Sequence, residues 1–187
     1  METSVVIAGF GGQGVLFAGQ LLAYAGMDSG YHVTWIPSYG PEMRGGTAHC
    51  TVILSDELIG APIVSCPDIA IVLNQPSFEK YELLVKTGGL LVVNSSLITT
   101  EITRTDIDAV YVPTNRIADE WGTVKMLNMA TIGALLAKQP ILPLESVEQA
   151  LLDHLPSTKA HLIDGNRRVL QQGYQSVGDI YRVSHHP

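Results

Sequence analysis

A glycine-rich turn near the start of the chain places the strongest constraint on the fold. An apolar run at 5–7 predicts a short buried strand, and residues 15–26 have the pattern of a helix. Between them, positions 8–14 read Ala-Gly-Phe-Gly-Gly-Gln-Gly and match G-x-G-x-x-G with one extra glycine. Glycines at a strand–turn–helix junction permit a tight turn and a close approach of a ligand to the backbone. The pattern predicts a Rossmann-like α/β fold whose helix start favours an anion.

The acidic residue that usually accompanies this fingerprint is missing. A nicotinamide site expects an acidic residue at the end of the second strand. Here the strand predicted at 32–37 runs into a loop, and Glu42 lies beyond the strand end. No Gly-Lys-Ser/Thr follows the glycines, which excludes a Walker-type phosphate loop. Two interpretations stay open: a turn that binds a phosphate-bearing ligand, and a turn that binds nothing itself.

Composition narrows the classes of function. The chain has 187 residues, which predicts a single domain over 1–187 with a sizeable core. A net charge of −7 without a basic stripe argues against nucleic acid as a partner. We find no apolar stretch long enough for a bilayer and no signal segment, so we expect no membrane contact and a cytoplasmic location. Charged residues make up only 16%, which indicates that other chains cover part of the surface.

The cysteines and histidines do not have metal-site spacing. Cys50 lies in a strand pattern and Cys66 precedes a proline, so the chain cannot hold a four-cysteine iron–sulfur cluster alone. We expect Cys50 to be a small buried hydrophobic residue. The six histidines show no metal-ligand spacing, and no nucleophile–base pair is evident. We therefore expect neither metal ligands nor catalytic residues in this chain.

The loop at 38–46 is the second unusual stretch. It reads Ser-Tyr-Gly-Pro-Glu-Met-Arg-Gly-Gly and follows the second predicted strand. In open α/β sheets, loops at the carboxyl ends of the strands receive ligands. Arg44 could hold a phosphate or a carboxylate with two hydrogen bonds. The alternatives are an internal pair between Glu42 and Arg44, or a contact with a partner chain.

The remaining apolar runs predict a three-layer domain with a mainly parallel, mixed sheet. Further buried strands are expected at 47–54, 69–73, 90–94 and 109–113. Residues 58–64 are expected to return as an antiparallel strand, which would make the sheet mixed. Four strands end in polar residues, which predicts a polar rim above the sheet. These residues are Ser38, Asn74, Asn94 and the pair Thr114 and Asn115.

The later part of the chain is mostly helical by pattern. Residues 125–138 are apolar nearly all round, which predicts burial on more than one side. Met126 and Met129 of that helix could fill the core or form a subunit contact. The last helix is expected at 159–174, followed by a tail that starts at Ser176.

Two motifs together resemble those of the gamma subunit of 2-oxoacid:ferredoxin oxidoreductases. They are the glycine turn at 8–14 and the loop at 38–46, and the sequence Asn-Gln-Pro-Ser at 74–77 fits the same pattern. The resemblance spans residues 1–139 or more. The methionine form of the second motif is most similar to the 2-oxoglutarate or branched-chain members of the family.

The resemblance implies a division of labour between subunits. In this family, alpha and beta subunits hold thiamine diphosphate, and iron–sulfur clusters lie in a ferredoxin-like delta subunit or in beta. The complex oxidatively decarboxylates a 2-oxoacid with coenzyme A to an acyl-CoA and passes electrons to ferredoxin. The resemblance implies that this chain is a non-thiamine-binding subunit, inactive alone, that helps to place coenzyme A. Among the possible 2-oxoacid substrates of the complex, the resemblance favours 2-oxoglutarate.

The candidate ligand-binding residues come from both motifs and the polar rim. They are Gly9, Gly11, Gly12, Gln13, Gly14, Ser38, Tyr39, Arg44 and Asn74. Two other classes of function stay open. One is a free-standing nucleotide-binding oxidoreductase, against which the missing acidic residue argues. The other is a purely structural assembly subunit whose glycine turn contacts a neighbouring chain.

Overall fold

The computed structural model describes residues 1–38 and 48–183, with 178–183 described by their backbone alone. The strands of the described residues are β1 (Glu2–Gly9), β2 (His32–Ser38), β3 (Ala48–Ser55), β4 (Ile69–Val72), β5 (Leu90–Asn94) and β6 (Asp108–Val112). The α-helices are α1 (Val15–Asp28), α2 (Gln75–Leu84), α3 (Thr114–Glu120), α4 (Leu127–Lys138), α5 (Leu144–His154) and α6 (Ile163–Val183). Short 3₁₀ helices at Val124–Met126 and Ser157–Leu162 precede α4 and α6.

The strands form one sheet in the order β2-β3-β1-β4-β5-β6. Strands β1, β4, β5 and β6 pair in parallel, whereas β3 is antiparallel to both of its neighbours. The predicted mainly parallel, mixed sheet is confirmed, but the antiparallel strand predicted at 58–64 is wrong. That segment forms no strand, and Leu58 and Ile63 are each 84% exposed. Since β3 already pairs along both edges, no free edge lies beside it for a returning strand.

The two faces of the sheet carry separate hydrophobic cores. Val5 and Ile7 of β1 pack into the core that includes α1, α4, α5 and α6. Val6 and Ala8 point to the other face, where Phe78 of α2 covers them. This alternation follows from the two-residue period of a strand. The predicted three-layer arrangement is confirmed.

Helix α1 lies unusually close to the sheet. A Cβ atom at Gly19 would overlap with the Cys50 sulfur, and one at Gly26 would overlap with the Leu54 side chain. Cys50 is fully buried beneath the helix, and this burial raises the pKa of its thiol to about 12. The prediction that Cys50 acts as a small buried hydrophobic residue is confirmed.

Helix α4 lies between the sheet and α6, and its residues from Leu127 to Leu136 are all buried. The prediction that this helix is covered on more than one side is confirmed. Met129 is fully buried and Met126 is 7% exposed. Both methionines therefore fill the core of this chain, which is the first of the two roles open to them.

The last helix is longer than its sequence pattern predicts. Helix α6 runs from Ile163 to Val183, so the tail predicted from Ser176 is wrong. Val177 is only 3% exposed and belongs to the main core, which extends the helix beyond Tyr174. None of the helices in the described part combines the length and the apolar character that crossing a bilayer requires.

Candidate functional site

The sheet has a topological switch point between the carboxyl ends of β1 and β4, which we call the β1–β4 crevice. These strands are parallel neighbours, yet α1 follows β1 onto one face of the sheet and α2 follows β4 onto the other. The two connections therefore diverge, and in open α/β sheets such a switch point is where ligands bind. The glycine turn lies on one side of the crevice, and Leu73 and Asn74 lie on the other.

The glycines of the turn serve different purposes. Gly12 and Gly14 have φ angles of 92° and 73°, in the left-handed region that favours glycine. A Cβ at Gly9 would lie 2.9 Å from the Leu73 Cβ, so this position needs glycine for packing. A Cβ at Gly11 or Gly12 would meet nothing within 4 Å. The turn is therefore packed at its base and open at its tip, where a ligand can reach the backbone.

Gln13 spans the crevice from inside the turn. Its Oε1 accepts a hydrogen bond from the Phe10 N–H at 2.6 Å, and its Nε2 donates to the Leu73 carbonyl at 3.0 Å. Both ends of the side-chain amide are thus engaged within the protein. Among the predicted ligand residues, Gln13 has an observed role in bracing the turn against β4.

Asn128 is a residue of this site that sequence reasoning missed. Its Nδ2 donates to the Gly14 carbonyl at 3.1 Å, and its Oδ1 accepts from the Met129 N–H at 3.1 Å. Only 2% of Asn128 is exposed. It lies 114 positions away from Gly14, and no local pattern in the sequence connects the two. Asn128 fixes the point at which the turn passes into α1.

The start of α1 is electrostatically suited to an anion. Gly14 is the N-cap residue of α1. No side chain caps this end of the helix, and its first turn contains no acidic residue. The first N–H groups of a helix have no acceptor within the helix, and the helix dipole places partial positive charge there. An anionic group bound at Gly11 and Gly12 would be stabilised by these N–H groups and by the helix dipole.

Asn74 begins α2 on the opposite side of the crevice. Its Oδ1 accepts a hydrogen bond from the Ser77 N–H at 2.9 Å, which caps the helix, and Pro76 lies in the first turn. Within residues 1–38 and 48–183, the Asn74 Nδ2 and the Ser77 Oγ are buried without a hydrogen-bond partner. Buried polar groups are rarely left unpaired, so these two atoms could each form one further hydrogen bond.

Most of the polar rim at β5 and β6 is hydrogen-bonded internally, whereas the Thr114 Oγ1 is buried without a partner within the described residues. Asn94 Nδ2 donates to Asn115 Oδ1 at 2.9 Å, and Asn94 Oδ1 accepts from the Ser96 N–H at 3.1 Å. The Asn115 N–H in turn donates to Ser96 Oγ at 3.2 Å. The predicted polar residues do lie at the strand ends, but the side chains of Asn94, Ser96 and Asn115 bond within the protein.

The candidate residues from the loop at 38–46 either lie at a distance from the crevice or lie outside the described residues. Ser38 ends β2 and pairs with His49, whereas Gly9 pairs with Ala48 of the same strand β3. Strand β3 therefore separates Ser38 from the glycine turn by two strand spacings, or about 10 Å. Tyr39 and Arg44 lie outside the described residues. In the described part, no three histidine, cysteine or acidic residues form a group that could hold a metal ion.

Comparison with known proteins decides the family. Residues 4–176 match the family described as pyruvate ferredoxin/flavodoxin oxidoreductase. The chain belongs to this family. The resemblance seen in the two glycine motifs is thereby confirmed, and it extends over most of the chain.

Three similar proteins illustrate the range of the family. Ketoisovalerate oxidoreductase subunit VorA of Methanothermobacter thermautotrophicus is 39% identical over 173 residues, which cover 92% of this chain but only 36% of that protein. 2-Oxoglutarate synthase subunit KorC of Methanocaldococcus jannaschii is 36% identical over 183 residues, or 96% of each chain. The solved gamma subunit of a keto/oxoacid ferredoxin oxidoreductase from Geobacter sulfurreducens is 28% identical, with a TM-score of 0.81 over 95% of this chain and 99% of that one.

The structural match to the Geobacter gamma subunit confirms the three-layer α/β fold. The three relatives are named as subunits of a ketoisovalerate oxidoreductase, a 2-oxoglutarate synthase and a keto/oxoacid ferredoxin oxidoreductase. Their names include ketoisovalerate and 2-oxoglutarate types, so the similarity does not decide between these acids.

Proposed function

We propose that this chain is the gamma subunit of a 2-oxoacid:ferredoxin oxidoreductase and that its glycine turn positions coenzyme A. The observation that carries the proposal is the open tip of the turn at the β1–β4 crevice, in a chain of this family. The end-to-end similarity to a 2-oxoglutarate synthase subunit and to a gamma subunit supports it. We propose also that residues 1–187 form one domain.

The ligand contact uses the backbone of the turn. The N–H groups of Gly11 and Gly12 and the start of α1 hold a phosphate of coenzyme A, because no Cβ blocks their approach. Asn74 is the contact expected from the other side of the crevice, because its buried Nδ2 has no partner within the described residues. The further predicted contacts come from the loop at 38–46, where Arg44 would add positive charge and Ser38 and Tyr39 would add polar groups. The remaining predicted residues, Gly9, Gln13 and Gly14, shape the turn.

The chemistry belongs to partner subunits in this proposal. Alpha and beta subunits bind thiamine diphosphate, a ferredoxin-like delta subunit or beta binds iron–sulfur clusters, and electrons leave to ferredoxin. The VorA relative extends well beyond the part that this chain matches, which is consistent with a unit that works beside further domains. The first 2-oxoacid to test is 2-oxoglutarate, since KorC matches this chain over 96% of both lengths.

The reassembled complex tests the coenzyme A role through Arg44→Ala. Loss of one charge-assisted contact costs about 1.5–3 kcal/mol, so the KM for coenzyme A should rise roughly 10- to 150-fold. The KM for the 2-oxoacid should stay unchanged. Arg116→Ala, which removes an exposed arginine of α3, is the matched control. An unchanged KM for coenzyme A together with weaker assembly would make the chain a purely structural subunit.

Two further measurements separate the remaining alternatives. Turnover of the assembled complex with 2-oxoglutarate should exceed turnover with 3-methyl-2-oxobutanoate, and the reverse ranking would overturn the substrate assignment. The isolated chain should oxidise neither acid. Calorimetric titration of the isolated chain with NAD and coenzyme A tests for a free-standing oxidoreductase, which requires NAD binding and turnover without partners.

A further inference from the structure

A cleft runs along α1 on the side that faces α5 and the 3₁₀ helix Ser157–Leu162. Two adjoining cavities of about 260 Å³ and about 170 Å³ share Phe17, Leu155 and Lys159 in their walls. We call them together the α1 cleft. Its wall on α1 extends from Phe17 to Tyr24, which is about 10 Å at the rise of an α-helix. This length and volume fit a small organic molecule.

Side-chain contacts fix one end of the α1 cleft. The rings of Tyr24 and His154 stack with their centroids 4.1 Å apart and their planes within 2°. Gln20 donates to the Tyr24 hydroxyl at 3.1 Å, and His154 Nε2 lies 2.8 Å from Asp28 Oδ2. These contacts connect α1 to α5, so this part of the wall is formed before any ligand binds.

The charge of the cleft is opposite to that of the whole chain. The chain carries 18 acidic and 11 basic residues, yet no aspartate or glutamate lines either cavity within the described residues. Lys125 and Lys159 both line the cleft, and neither has an ion-pair partner in the part of the chain that the structure describes. Two unpaired cations above an apolar floor favour an anion that carries an apolar group.

We propose that the α1 cleft binds a small amphipathic anion. Its ring or alkyl part packs against Phe17, Leu21 and Leu155, and its anionic group is held by Lys125 and Lys159. This site is distinct from the tip of the glycine turn, although Asn128 lines the cleft and also contacts Gly14. The shared chemistry is an anion joined to an apolar group, which a nucleoside phosphate and a branched-chain 2-oxoacid both have.

Titration of the full chain distinguishes these two sources. The probes are adenosine 3′,5′-bisphosphate and 3-methyl-2-oxobutanoate, followed by calorimetry and by NMR of the Tyr24 and His154 ring resonances. At least one probe should saturate at one molecule per chain and shift both rings. Added salt should weaken its binding, because the lysines are exposed. Failure of both probes to shift the two rings saturably would overturn the proposal.

Lysine variants test where the anion lies. Lys125→Gln and Lys159→Gln should each weaken binding about 3- to 10-fold, as expected for exposed charge contacts. Lys80→Gln on α2, at the opposite face of the sheet, should change nothing. Gly11→Val should also leave binding in the cleft intact. Loss of binding in Gly11→Val, with both lysine variants unaffected, would place the probe at the glycine turn and overturn the cleft site.

Discussion

Glycine has opposite roles in the glycine turn and at the crossing of α4 with α6. At Gly11 and Gly12 an added Cβ would meet nothing within 4 Å, so the space beside the backbone is open. At Gly133 of α4 an added Cβ would overlap with the Leu170 carbonyl oxygen, and at Gly173 of α6 it would overlap with the Ala130 backbone. Glycine leaves the backbone open to a ligand in the turn, and it allows two helix backbones to pack closely at the crossing.

This difference separates function from stability within one chain. The helix crossing allows α6 to lie against α4 at backbone distance, which buries the apolar surface of α4 on its second side. The tip of the turn is exposed, and Phe10 beside it is 41% exposed. A methyl group should therefore lower the free energy of unfolding most at the crossing. At the tip it should mainly disturb ligand binding, with a smaller loss of stability where the glycine has a positive φ.

The largest loss of stability is expected for Gly133→Ala. The new methyl group would meet backbone atoms of Leu170 and Tyr174, which cannot move aside as a side chain can. Such overpacking should lower the free energy of unfolding by about 3 kcal/mol, despite the better helix propensity of alanine. Denaturant unfolding measures the change.

Gly165→Ala is the matched control for that variant. It lies in α6, the helix that crosses α4, and its Cβ would meet the flexible end of the Met126 side chain, at 2.9 Å from Cε. The free energy of unfolding should change by less than about 0.5 kcal/mol. Equal losses in both variants would show that the crossing does not depend on backbone contact at Gly133.

A smaller loss is expected for Gly14→Ala at the base of the turn. The φ angle of 73° costs a residue with a Cβ about 1–2 kcal/mol. The Cβ would also lie 2.5 Å from Asn128 Nδ2, which has to move and give up its hydrogen bond to the Gly14 carbonyl. We expect a total of about 2 kcal/mol from denaturant unfolding. In an Asn128→Ala background the loss should shrink, and a loss of the same size there would contradict this contact.

Gly12→Ala should lower stability less than Gly14→Ala. Its φ angle is 92°, but its Cβ would meet no atom within 4 Å. Only the backbone conformation is then unfavourable, at about 1 kcal/mol in the free energy of unfolding. A loss as large as that of Gly14→Ala would mean that the tip of the turn is not open.

Local patterns in the sequence were sufficient for the glycine turn. Strand, turn and helix follow one another directly, so the residues that shape the turn are close together in the chain. The partners that hold the turn in place come from farther away. Gln13 reaches Leu73 across 60 positions, and Asn128 reaches Gly14 across 114. No periodicity or turn signal predicts such contacts, because they depend on how distant elements pack.

The errors in the predicted fold also arise from long-range effects. The apolar residues at 58–64 have a strand-like composition, but composition cannot show that β3 has no free edge for them to pair with. The place of β3 between β1 and β2 also depends on strand pairing, so the sequence could not give the spacing of about 10 Å between Ser38 and the glycine turn, whereas the role of Ser38 stays a prediction. Glycine often ends a helix, yet α6 continues past Gly173. The glycine at this position instead leaves room for the Ala130 backbone of α4.

Gly11→Val tests the central claim most directly. Gly11 has no positive φ and open space beside its backbone, so the variant should keep its free energy of unfolding within about 0.5 kcal/mol. In the assembled complex, its KM for coenzyme A should rise at least about tenfold, because the side chain blocks the phosphate. Gly60→Val, at another open position in a loop, should leave both quantities unchanged. A stable Gly11→Val variant with an unchanged KM for coenzyme A would contradict the account.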